Sequence, residues 1–264
     1  MATVLVVSPH LDDACLSFGG QISRHVAEGD LVLVHTVFAG SPIPPYSESA
    51  QRYHRVWDIV GDPMEPRRRE DVRAMGLLGA TPLHGDFLDA IYRLDEHGEW
   101  LVQPGTRPLT RFMPEEPGLL AAIADRVAAL IKEHGPDLVA TAAAVGTHVD
   151  HQRARDATAT AALRAGVPLL LWEDLPYALW TDDSPPLPEG MTSADPRVAV
   201  SSAEAGERKL RAIAEYASQL PGLNYDGADV FGLLERRRRG LTDLEPEDVY
   251  GEVTWRVTGQ PGVG

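Results

Sequence analysis

Residues 3–13 read TVLVVSPHLDD, and the fold is decided in that stretch. Thr3 to Val7 form a continuous apolar run rich in β-branched residues, as expected of a strand covered on both faces. Ser8-Pro9 breaks the run. Cys15, Phe18, Ile22 and Val26 then recur at spacings of three and four, the stripe of an amphipathic helix, and Gly29 ends it. Residues 31–37 (LVLVHTV) repeat the buried-strand pattern. Strand, helix and strand in that order predict a βαβ unit, and hence an α/β fold with a mostly parallel sheet.

Working outward, residues 39–50 carry three prolines and read as a loop. Helices are expected over 51–60 and 67–78, a short strand over 81–84, and a long, functionally suggestive loop over 86–117. Leu119, Ile123, Val127, Leu130 and Ile131 place a helix over 118–134, stopped by Gly135-Pro136. Further elements are a strand over 137–144, a helix over 151–165 and a strand over 168–172. The proline-rich stretch 181–196 reads as loop. Ser201 with Glu204 suggests a capping box for a helix running to about Leu220, and the remainder reads as irregular and charged.

The chain has 264 residues, 44% of them hydrophobic, which suits one domain over residues 1–264. A net charge of -15 argues against partnership with nucleic acid or anionic membrane, since the summed field repels phosphate. No run approaches the roughly 20 apolar residues of a membrane span. The N-terminus lacks a basic, cleavable leader pattern. Cys15 is the sole cysteine, so no internal disulfide forms, and a cytoplasmic location is expected.

In open α/β sheets, ligands bind beyond the carboxyl ends of the strands. Two clusters fall there: SPHLDD (8–13) after the first strand, and GTHVDH (146–151) after the 137–144 strand. A catalytic zinc takes three His or carboxylate ligands and leaves one position open. His10, Asp13 and His151 can supply that set. Asp12 is then a spare carboxylate able to take a proton from water, and His148, paired with Asp150, a charged donor to an oxyanion. The competing reading is structural: Asp12 or Asp13 caps a helix, and His151 merely begins one.

The two motifs, with RRREDVRAMGLLGA (67–80) and KLRAIAEYASQL (209–220), resemble the PIG-L/LmbE-like zinc-dependent de-N-acetylases of N-acetylglucosaminyl compounds. The resemblance covers most of the chain and implies a Rossmann-like three-layer sandwich. It also implies that His10, Asp13 and His151 hold zinc, that Asp12 is the general base, that His148 stabilises the oxyanion and that Asp150 orients His148. Many members have proline and glutamate where this chain has Leu11 and Ala14. The form SPHLDDA is more similar to the branch acting on antibiotic intermediates. The expected function is hydrolysis of an N-acetyl group from a small amino-sugar-containing molecule. The rivals are an amidase cutting a larger acyl or thiol-conjugate amide, and a non-catalytic ligand-binding relative. The His/His/Asp set accommodates Zn2+ or Fe2+.

Secondary candidates are Arg67 and Arg68 at the start of a helix, Asp89 and Arg93 in the long loop, and Trp172 and Tyr177 after the 168–172 strand. The arginines can reach a ligand or form a solvated face. Asp89 and Arg93 can bind sugar hydroxyls or each other. The aromatics can stack on a sugar or simply pack. Arg236 to Arg239 are expected to form surface ion pairs.

Overall fold

The computed structural model describes residues 1–110, 114, 116, 118–224, 229–241 and 249–259. Parts of the long loop and of the charged C-terminal stretch read from the sequence lie outside these residues.

Strand β1 is Thr3–Ser8, helix α1 Asp13–Ala27 and strand β2 Leu31–Thr36. Val4 and Val6 enter one hydrophobic core, and Leu5 and Val7 the other. Successive side chains alternate across a sheet, so a strand covered on both faces needs an unbroken apolar run. α2 (Glu48–Val56) and α3 (Met64–Leu78) each begin three residues earlier than the sequence suggests. Ser47 caps α2 by accepting the Ala50 N–H at 3.0 Å. β3 (Thr81–His84), α4 (Leu119–His134), β4 (Leu138–Ala142), α5 (Val149–Arg164) and β5 (Leu169–Trp172) follow within a few residues of expectation.

Strands β3-β2-β1-β4-β5 run parallel in that spatial order. The chain therefore moves outward from β1 in one direction, then returns to β4 on β1's other side. α1 and α3 supply apolar residues to one core, and α4 and α5 to the other, which makes three layers. The crevice between the ends of β1 and β4 is the topological switch point, where such sheets bind ligands. Both His/Asp motifs open onto it.

The C-terminal part departs from the sequence reading. β6 (Met191–Ser193), β7 (Arg197–Ser202), α6 (Ala203–Ile213), α7 (Leu220–Leu223), α8 (Val230–Arg239) and β8 (Val249–Gly259) complete the fold. β8 pairs antiparallel with β5, β6 and β7. Ser202, not Ser201, caps α6 through the Ala205 N–H, because Ser201 turns inward and donates to the Tyr250 carbonyl. β8 was hidden by Glu252, an acid at a buried position. Lys209 meets that carboxylate at 2.7 Å, and the Gly20 and Gln21 amides donate to it at 3.0 and 2.9 Å.

Candidate metal centre and active site

The β1–α1 turn is latched by Ser8. Its hydroxyl donates to the His10 carbonyl at 2.6 Å and accepts the Ala14 N–H at 3.0 Å. One of the helix's unpaired N-terminal amides is thereby satisfied from outside. Asp12 occupies the cap position yet makes no capping bond, so the capping interpretation fails for it. Burial, reinforced by the neighbouring Asp13 charge, pushes the Asp12 pKa up to about 6, with Arg67 and His10 opposing.

Asp13 Oδ2 lies 3.0 Å from His10 Nδ1 and 3.2 Å from His151 Nε2. Three candidate donor atoms, from two strand ends, therefore converge within 4.8 Å, all buried. Buried His151 Nε2 has Asp13 Oδ2 beside it but makes no well-aligned hydrogen bond, as expected of an atom meant for a metal. Burial disfavours charge on Asp13, but the two histidines outweigh it and hold its pKa well below the usual range. The same pairing lifts the histidines against burial. His151 rises to about 9, helped by Asp13 and Asp174, and His10 rises well above its ordinary value, helped by Asp89, Asp13 and Asp150.

The outward nitrogen of each histidine meets a carboxylate. His10 Nε2 is 3.0 Å from Asp150 Oδ2, and His151 Nδ1 is 2.6 Å from Asp174 Oδ1. Metal-binding histidines characteristically carry such partners, which fix tautomer and ring orientation. His10, His148 and Asp150 also fall within metal-binding reach of one another. Asp150 is already neutralised there by Arg93 at 2.7 Å and bonded by the Ala90 amide, so the His10/Asp13/His151 set fits a cation better.

Asp150 holds His148 through its backbone. His148 is the cap of α5, and its Nδ1 accepts the Asp150 backbone N–H at 3.1 Å. That bond leaves the ring proton on Nε2. Burial, with His151 and His10 nearby, pushes the His148 pKa far down. His148 Nε2–H is thereby left as the ring's donor. The preceding loop is held in left-handed geometry at Ala144 (φ 64°), Gly146 (φ 86°) and Thr147 (φ 65°), the kind of backbone strain concentrated at functional sites.

The secondary candidates divide. Arg67 is buried over the Trp57 ring at 4.6 Å, with Nη1 4.0 Å from Asp89 Oδ2 and Nε unpartnered. Asp89 also approaches His10 Nε2 at 3.7 Å. Arg93 pairs with Asp150 and Glu116, so no Asp89–Arg93 pair forms. Arg68 is committed to structure, binding the Ala39 carbonyl, Ser41 and Asp62. Trp172 is a core residue: it is fully buried and stacked on Phe18 at 5.4 Å, with no face left for a sugar. Tyr177 lies edge-on to His151, ring centroids 5.5 Å apart. Leu11 and Ala14 are both core residues too, so this departure from the common motif changes packing. Sequence reading missed Asp174 and Glu116. An acid two residues after β5, on the ligand side of the sheet, was the available signal for Asp174.

A further acidic group, His25, Glu28 and Asp30, also stands within metal-binding reach on the surface near the end of α1. Arg24 occupies that cluster, pairing with Glu28 and lying 3.2 Å from His25 Nε2. Arg237 pairs with Glu173, and Arg238 and Arg239 with Glu235, as expected of surface arginines.

A mostly parallel sheet bearing a buried His/Asp/His set and an uncapped carboxylate at its switch point has the architecture of a metal-dependent hydrolase. Residues 5–162 match the family described as GlcNAc-PI de-N-acetylase (PIG-L), and the chain belongs to it. It is 34% identical over 180 residues to 2'-N-acetylparomamine deacetylase of Streptomyces fradiae, covering 66% of this chain and 57% of that protein. The zinc-inhibited form of teicoplanin deacetylase is similar at 38% identity and TM-score 0.90, over 98% of each chain. The A40926 pseudoaglycone deacetylase is similar at 39% identity and TM-score 0.83, also over 98% of each.

Proposed function

We propose that the whole of residues 1–264 acts as one unit that hydrolyses an N-acetyl group from an amino-sugar-containing small molecule. His10, Asp13 and His151 would hold the catalytic ion, for which two imidazoles and a carboxylate suit zinc. The convergence of those three donors beside an uncapped Asp12 carries this reading. The paromamine, teicoplanin and A40926 relatives, all named as deacetylases, support an antibiotic intermediate as substrate.

When bound, a divalent cation supplies Lewis acidity and lowers the pKa of water toward about 7. The remaining work belongs to the chain. Asp12, with a pKa raised to about 6, is ionised at neutral pH yet basic enough to take a proton from the attacking water. The water oxygen adds to the acetyl carbonyl carbon. His148 Nε2–H donates to the oxygen that becomes negative, while the Asp150 amide fixes the ring from behind. Collapse breaks the C–N bond, and Asp12 returns its proton to the departing amine. Acetate and a free amino sugar result. No helix among the described residues is long and apolar enough to cross a membrane, and the lone buried Cys15 suits a reducing cytoplasm.

The test is product analysis on a panel of N-acetylated amino-sugar glycosides, with and without chelator. Chelator-sensitive acetate release is expected. Release of a larger acid from acyl-amide controls, with no acetate from any panel member, would favour the rival amidase.

A further inference from the structure

Asp174 plays no part in the reaction just described, yet its carboxylate is among the most enclosed in the molecule. It is 1% exposed, and both of its oxygens are used. Oδ1 lies 2.6 Å from His151 Nδ1, and Oδ2 accepts the Val145 N–H at 2.9 Å. Val145 belongs to the strained loop that delivers His148. The next residue, Leu175, donates its amide to Ser17 Oγ of α1 at 2.9 Å, one turn beyond Asp13. Tyr177, in the same turn, packs on His151. One short segment after β5 is thus fastened to the helix carrying Asp13, to the loop carrying His148 and to the ring of His151.

We infer that Asp174 is a positioning residue of the metal centre, holding the His151 proton on Nδ1 so that Nε2 presents a lone pair, and fixing the β4–α5 loop with its other oxygen. The inference rests on the reading of His151 as a metal ligand.

The chemistry requires a carboxylate. The Val145 N–H donates to one oxygen, and a His151 proton held on Nδ1 donates to the other, a pair of contacts that a carboxylate serves at once. An asparagine has one acceptor. With its oxygen toward His151, its NH2 confronts the Val145 N–H. With its oxygen toward Val145, its NH2 confronts Nδ1, which must then be bare, and the proton moves to Nε2, the nitrogen the cation needs. Neither orientation satisfies the site. Removal of such a partner typically weakens metal binding by about 10- to 100-fold.

The test compares zinc affinity of wild type and Asp174→Asn by competition with a chelating dye, alongside kcat at saturating zinc and the melting point of the metal-stripped proteins. The expected result is a zinc Kd weaker by about 10- to 100-fold, with kcat recovering to within severalfold once zinc saturates. Equal zinc affinity in the two proteins, whatever the melting points, would overturn the inference. Nitrogen-15 NMR of the zinc-loaded wild type tests it without any variant: protonated Nδ1 and zinc-bound Nε2 at His151 are expected, and the reverse assignment overturns it. A wild type that binds no zinc overturns the underlying reading instead, a result distinct from two proteins that bind zinc equally.

Discussion

Asp12 owes its availability to Ser8. An aspartate at a helix cap ordinarily spends its carboxylate on backbone amides, but Ser8 Oγ takes the Ala14 amide and Asp13 Oδ2 takes that of His10. Asp13 faces the two histidines, Asp12 makes no capping bond, and two adjacent identical residues acquire different chemistry. Gly146 makes a comparable local contribution. It sits at φ 86°, and a Cβ there would lie 2.6 Å from Tyr177 Cβ. Gly146→Ala is therefore expected to lose about 1–3 kcal/mol and to displace Tyr177 from His151, seen as a lower melting point with a raised KM. An unchanged KM would separate Tyr177 from substrate binding. The residues of the two motifs were legible in the sequence because each pairs an uncommon polar type with a strand end. The positions of Asp174 and Trp172 were not. One is defined by a partner 23 residues away, and the other by a stacking partner on α1.

Among the elements of the parallel half, β1 and β2 were readable as plain apolar runs and α1 and α4 as clean stripes. β8 was not, since its Glu252 becomes compatible with burial only once Lys209 of α6 is packed against it. Sequence periodicity does not register a charge neutralised across the fold. The same pair joins the late strand to α1, because Glu252 also accepts the Gly20 and Gln21 amides. Lys209→Met leaves that carboxylate without its counter-ion and is expected to cost about 3–5 kcal/mol. Denaturant unfolding measures this directly, and a loss below about 1 kcal/mol would mean the two amides alone suffice.

For the whole molecule, the strand order decides function. β1 and β4 are hydrogen-bonded neighbours, so motifs separated by well over a hundred residues share one crevice. Stability should also carry a pH signature from the sheet. Burial lowers His35 from its ordinary 6.5 to about 4. Above pH 6.5 neither the folded nor the unfolded chain is protonated there, and its contribution is complete. As pH falls from 6.5 toward 4 the unfolded chain binds a proton that the folded one refuses, so stability declines by up to about 3 kcal/mol. In His35→Gln, stability measured by urea unfolding should decline less steeply across that window; an identical slope would assign the decline to other groups. The central claim is that the His10/Asp13/His151 centre, with Asp12 as its base, releases acetate. Its most direct measurement is acetate release from an N-acetylated amino-sugar glycoside by metal-stripped protein as zinc is added, in wild type and Asp12→Asn. Activity should return at about one equivalent in the wild type, while the variant binds zinc but works about 100- to 10,000-fold more slowly. Full activity in the stripped protein, or in the zinc-loaded variant, would contradict it.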